Sequence, residues 1–176
     1  MGNINPQIDH FFPKSLYPYL AVSYFNLIPS CQTCNGFGAK ENKDPIIEKL
    51  VNPYLIKDDD FRFAIKINSI DIYNPVFDPS NFDLILKKKI EGHVKTFKLE
   101  GFYEKHKDHV FELIIKSKLK YSEKYREYLK SLIGHSFCSE DIDKMIIGNY
   151  SRVSEIHKRP LAKLYQDIAK ELKLIR

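Results

Sequence analysis

Asp9 and His10 are adjacent, Asn26 follows, and Cys31-Gln32-Thr33-Cys34 leads directly into Asn35. Each of these residue types has a use in phosphate chemistry. The Asp9 carboxylate and the Asn35 amide carry oxygen donors that suit a hard divalent cation, which keeps several waters and leaves room for a phosphate. The His10 imidazole can act as a general base and take a proton from water. One such base and one Lewis-acid cation suffice for phosphodiester hydrolysis. Neighbours on a strand face opposite sides, so Asp9 and His10 can share a site only where the strand bends into an irregular loop. Taken singly the residues carry little weight, because an isolated Asp-His pair is usually structural and Asn is commonest in turns.

The elements that must position them are short. Residues 7–11 read as a strand stopped by Pro13, residues 25–29 as a second strand, and residues 34–43 as a short helix weakened by Gly36 and Gly38. Residues 52–99 read as a β meander. Phe61, Phe63, Ile65 and Ile67 alternate on one face, residues 70–73 continue the strand, and residues 82–89 form another. From residue 100 onward helices dominate. The apolar spacing predicts a helix over 102–132, a second started by Ser139 as N-cap and ended near Gly148, and a last one begun by Pro160. The fold class is therefore α+β. The expected division is 1–50 for the segment carrying Asp9 to Asn35, 51–99 for a β-rich extension and 100–176 for a helical lobe.

Composition narrows the function classes. The 176 residues are 43% hydrophobic and 29% charged, an ordinary globular balance that excludes a disordered chain. No apolar run approaches a membrane span, no signal peptide is recognisable, and three cysteines make no disulfide framework, so a cytoplasmic protein is expected. The net charge of +5 is uneven: residues 87–130 hold 12 Lys and one Arg against seven acids. That excess suits a polyanion, although a lysine-rich solvated helix face reads the same way. His106-Lys107-Asp108-His109 sets two histidines at i and i+3, but amid lysines it reads as a solvated face. Tyr17, Tyr19, Tyr24 and Phe25 are able to stack on bases, yet packing a small core is the preferred reading. No phosphate-loop or dinucleotide motif is present, so any ATP dependence must come from a partner.

The run Ile8-Asp9-His10-Phe11-Phe12-Pro13-Lys14-Ser15, then Asn26-Leu27-Ile28-Pro29-Ser30-Cys31, then Cys34-Asn35 and Lys43-Asp44-Pro45, resembles the core of the HNH endonucleases, the ββα-metal or His-Me finger nucleases. The segments Asn52-Pro53-Tyr54, Phe61-Arg62-Phe63 and His157-Lys158-Arg159-Pro160-Leu161 more weakly resemble bacterial HNH proteins encoded beside an ATPase, including those of Septu-type antiphage systems. The resemblance implies a ββα-metal finger followed by a small β meander and a C-terminal helical lobe. It implies that His10 is the general base, that Asp9 and Asn35 ligate one Mg²⁺ or Mn²⁺, and that Asn26 binds loop backbone and orients His10. Many relatives also build a structural Zn²⁺ site from two Cys pairs. No Cys precedes His10 here, and Cys31 and Cys34 alone do not close a tetrahedron. His135 and Cys138 have the same spacing and would complete one; alternatively packing replaces zinc, or the upstream pair lies outside this sequence.

The resulting expectation is a metal-dependent endonuclease acting on DNA rather than RNA in a bacterial defence or restriction system. Lys14, Lys40 and Lys43 would meet neighbouring phosphates. An ATPase or an immunity protein would be a partner, and no membrane is involved. The alternative is a non-catalytic nucleic-acid-binding or ATPase-docking subunit that keeps the finger for its shape.

Overall fold

A computed structural model describes residues 7–36, 39–74, 76, 78–118, 123–133 and 138–175. Helix and sheet are mixed, and the two sheets have two antiparallel strands each. The chain divides into two compact units. The first comprises residues 1–61 and 88–102, the second residues 62–87 and 103–176. This runs differently from the expected three stretches, because the middle stretch is split: its strands join the second unit and its last residues return to the first.

In the first unit, β1 (Gln7–His10) pairs with β2 (Leu27–Ser30) in the register Asp9 to Ile28 and His10 to Leu27. The ladder continues one step, with the Phe11 N–H donating to the Asn26 carbonyl at 2.8 Å. A 3₁₀ turn over Tyr24–Asn26 takes the residues expected to open the second strand. The single helical turn α1 (Gln32–Asn35) begins after Cys31 and stops at Gly36, far short of the helix expected to residue 43. Gly36 is the extended C-cap, its N–H donating to the Gln32 carbonyl, and the position requires glycine, since a Cβ there would lie 2.6 Å from that oxygen. The helix α2 (Glu91–Phe97) buries Gly92, His93, Val94 and Thr96. His93 Nε2 lies 2.9 Å from the Val51 carbonyl, and burial lowers its pKa, so the ring stays neutral.

In the second unit, β3 (Arg62–Ile67) lies beside β4 (Phe82–Lys88). Phe63 and the adjacent Ala64 are both buried while Ile67 is exposed, so the expected single apolar face does not form. Residues 70–73 turn as a 3₁₀ helix instead of continuing the strand, because Ser69 accepts from the Asp71 N–H and starts a local turn. The helix expected over 102–132 is interrupted at residues 105–106, and its described parts are α3 (Leu99–Glu104), α4 (Lys107–Lys118) and α5 (Glu123–Ile133). Then come α6 (Ser139–Ile147), capped by Cys138 rather than Ser139 and ended by left-handed Gly148, and α7 (Ala162–Glu171). Pro160 stands before the left-handed cap Leu161 rather than at the first helical position.

The core of the second unit gathers Phe63, Ile72, Phe82, Leu113, Ile142 and Ile168 around α7. Full burial of each such side chain contributes roughly 1.5–3 kcal/mol. The helix α7 also closes the polar accounts of β3. Asp167 accepts from the Phe63 N–H and Glu171 from the Ile65 N–H, both at 3.0 Å, so carboxylates one helical turn apart satisfy the strand's outer donors. Buried Gln166 donates to the Tyr150 and Arg152 carbonyls. Arg126 on α5 bonds Asp143 on α6 and the Leu174 carbonyl. Among the described residues no helix is long and apolar enough to cross a membrane.

The close approach at Gly92 is testable. A Cβ there would fall 2.1 Å from the Glu48 carbonyl oxygen and 2.4 Å from that of Lys49, both backbone atoms. Gly92→Ala is expected to destabilise the protein by about 1–3 kcal/mol, as overpacking does. A urea unfolding curve should show the lower midpoint.

Candidate active site

Asp9, His10 and Asn35 line one polar cleft of about 250 Å³, open to solvent and also edged by Lys14, Ser15 and Glu41. Asp9 and His10 arrive at the end of β1, where the chain leaves the ladder. Asn35 arrives from the last residue of α1. Asn26 secures the bend. It is 3% exposed, accepts from the Phe12 N–H at 2.7 Å, and donates to the carbonyls of Phe12 at 3.1 Å and Leu20 at 3.0 Å. One side chain thus satisfies three backbone groups of the loop that follows His10.

The His10 ring is fixed by chemistry as well as by place. Its Nε2 lies 3.0 Å from the Ala21 carbonyl oxygen. A carbonyl only accepts, so Nε2 carries the proton and Nδ1 holds the lone pair of the neutral ring. Asn35 is oriented too, since its Nδ2 donates to Gln7 Oε1 at 3.0 Å, leaving Oδ1 as its free oxygen.

Lys40 is not placed as expected. Its ammonium is buried, 3.1 and 3.0 Å from the two Asp9 carboxylate oxygens and 2.6 Å from the His10 carbonyl. Only 3% of the residue is exposed, so it anchors β1 and is not a ligand for incoming phosphate. Lys14 remains exposed at the cleft, and Lys43, half-buried, follows the cleft residue Asn42 in sequence. Glu41, a second carboxylate on the cleft, escaped the sequence reading because it lies in an irregular segment with no periodicity to flag it.

The residues present fit a hard divalent cation. Asp9 and Glu41 carboxylates and the free Asn35 amide oxygen are all oxygen donors on one open cleft, and a carboxylate paired with an ammonium retains further lone pairs.

Cys31 and Cys34 line a separate, largely apolar pocket of about 400 Å³ with Phe11, Ile28, His93 and Phe97; Lys40 borders this pocket, and Asp9 borders both cavities. The Cys34 backbone N–H and hydrogen bonds from the Cys34 and Thr33 side groups lower the Cys31 thiol pKa, against burial. Burial and then the Cys31 sulfur push Cys34 up to about 11. Cys138 is exposed at the start of α6, its thiol 3.0 Å from the Asp141 carboxylate, while His135 lies outside the described residues. Tyr19, Tyr24 and Phe25 do not pack a core. They are 74%, 70% and 67% exposed, and Tyr24 and Phe25 form an edge-to-face and stacked cluster with Tyr54.

Two measurements follow from this geometry. Asp9→Ala should strip a buried ammonium of its partner and cost about 3–5 kcal/mol, with Lys40→Met in the same chain restoring much of it. Thermal unfolding of the single and double variants checks this. At pH 8, limiting iodoacetamide should label Cys31 ahead of Cys34 and Cys138, because only Cys31 has its thiolate favoured. Peptide mapping reads the order.

Comparison with known proteins finds partial similarity. Over 47 residues, 27% of this chain and 18% of the relative, the chain is 45% identical to Septu protein PtuB of Bacillus thuringiensis. Over 57 residues, 31% of this chain and 19% of the relative, it is 40% identical to protein ea31 of Escherichia phage lambda. The chain thus spans under a fifth of the length of these relatives. No family model matches, and no solved structure matches.

Proposed function

We propose that the chain is a metal-dependent endonuclease of the HNH type, hydrolysing phosphodiester bonds in DNA as part of a bacterial defence system. The observation that carries this reading is the shared cleft of Asp9, His10 and Asn35, with the His10 tautomer set by the Ala21 carbonyl. The partial similarity to a Septu protein supports the defence setting and a complex with other proteins; an ATPase is the partner we propose.

His10 acts as general base. Nδ1 takes the proton of the attacking water while Nε2–H stays on the Ala21 carbonyl, so the ring keeps its orientation as it becomes imidazolium. Asn26 holds the Phe12 and Leu20 backbone, keeping the loop that carries Ala21 in place. Lys14 offers its ammonium to a phosphate entering the cleft. Asp9 and Asn35 would hold Mg²⁺ or Mn²⁺, which supplies Lewis-acid charge to the phosphate oxygens. The second reading, a non-catalytic binding or ATPase-docking subunit, is favoured by the exposed Tyr24–Phe25–Tyr54 cluster, which suits stacking or docking.

Plasmid nicking decides between them. Wild-type protein with Mg²⁺ or Mn²⁺ should nick, EDTA should abolish the activity, and His10→Ala should lower it by ~10²-fold or more without loss of stability or DNA affinity. Wild-type protein that nicks neither DNA nor RNA, even with its ATPase partner supplied, overturns the catalytic reading. Equal activity in His10→Ala moves the base elsewhere.

A further inference from the structure

A second group of ligating side chains lies in the second unit, where the proposed nuclease chemistry makes no use of it. His106 precedes α4, its N–H donating to the Tyr103 carbonyl at 2.9 Å, and Asp108 and His109 fall in the first turn of α4. One ligand atom from each of His106, Asp108 and His109 lies within 4.8 Å of the other two. Around a tetrahedral ion with bonds of about 2.0–2.1 Å, ligand atoms stand roughly 3.4 Å apart. Small rotations of the exposed Asp108 carboxylate and of the rings therefore close the trio.

Three features set this group apart from a solvated helix face. Both imidazoles are half-buried, with ring centroids 5.8 Å apart. His109 Nδ1 is 2.8 Å from the hydroxyl of Tyr165, which is 9% exposed on α7. An imidazole held through one nitrogen by a buried partner presents the other to a metal, the arrangement common around ligating histidines. Finally, the lysine between the histidines is turned away: the buried Lys107 ammonium lies 2.9 Å from Glu104, 3.6 Å from Asp83 and 3.3 Å from the Pro79 carbonyl.

We propose that His106, Asp108 and His109 bind one divalent transition-metal ion of the zinc class, with Tyr165 fixing the His109 ring. Two imidazole nitrogens and one carboxylate suit zinc or its surrogate cobalt and do not suit magnesium or calcium, which require mostly oxygen. Three protein ligands leave a position for water or a partner's side chain.

The test uses the full chain with Cys31→Ser, Cys34→Ser and Cys138→Ser, so that thiolates cannot contribute. Zinc is titrated in competition with a chromophoric chelator at pH 7.5. About one equivalent should bind. Adding His106→Gln and His109→Gln should weaken that binding by about 100-fold or more, and Tyr165→Phe by about 10-fold, the scale of an orienting partner. No zinc bound by the thiol-free chain, or binding unchanged by the paired histidine substitution, overturns the site; binding unchanged by Tyr165→Phe overturns the tyrosine's part. Zinc-edge anomalous scattering from zinc-soaked wild-type crystals needs no variant. A peak between His106 and His109 supports the site, and peaks elsewhere only overturn it.

Discussion

A lysine ammonium taken out of water is tolerable only with its charge and all its donors engaged, and the first unit is arranged to meet that demand for Lys40. The Asp9 carboxylate and the His10 carbonyl both turn to it. The chain that follows α1 is thereby drawn back onto β1, across 31 positions of sequence. The position of Asn35 over the cleft depends on the same closure, because α1 lies between the two anchored points. Asp9 therefore has two duties: it neutralises an interior cation and it offers oxygen at the cleft. Removing Asp9 perturbs both together, which is why the companion substitution at Lys40 matters.

The second unit solves a related problem with the signs exchanged. Its interior helix α7 buries Asp167 and Gln166 among Ile168, Leu164 and Ala169; Asp167 accepts from the Phe63 N–H and the Gln166 amide nitrogen donates to two carbonyls, while Gln166 Oε1 has no partner among the described residues. Lys163, one turn before Asp167, balances its charge at 3.0 Å. Polar groups inside an apolar core select one register of strand against helix, since a shift of one residue would leave the Phe63 and Ile65 donors without acceptors.

That Asp9, His10 and Asn35 would meet in one cleft was legible because a compact motif brings distant residues together through short, fixed spacings. The antiparallel pair that presents Asp9 and His10 was legible for the same reason. Lys40 was not, since a lysine in a polar, aperiodic stretch reads as solvated and its partner lies far upstream. The rings of Tyr19, Tyr24 and Phe25 were expected to fill a core, but a unit this small covers few aromatics and leaves these outside. Residues 70–73 show local chemistry prevailing over pattern, with a serine cap turning an alternating run. The break at residues 105–106 left no trace in the apolar spacing, because the pattern resumes in phase across the turn.

The segment between Phe12 and Asn26 contains only 3₁₀ turns among its regular elements, and it is held by a few side chains, the Asn26 amide and the Tyr17–Asp44 hydrogen bond among them. That amide and the His10 ring grip the same stretch of backbone, at Leu20 and Ala21. Freeing that stretch would also free the His10 ring, so the geometry at one edge of the cleft depends on the order of a short surface segment, and anything bound to that segment acts on the ring through backbone alone.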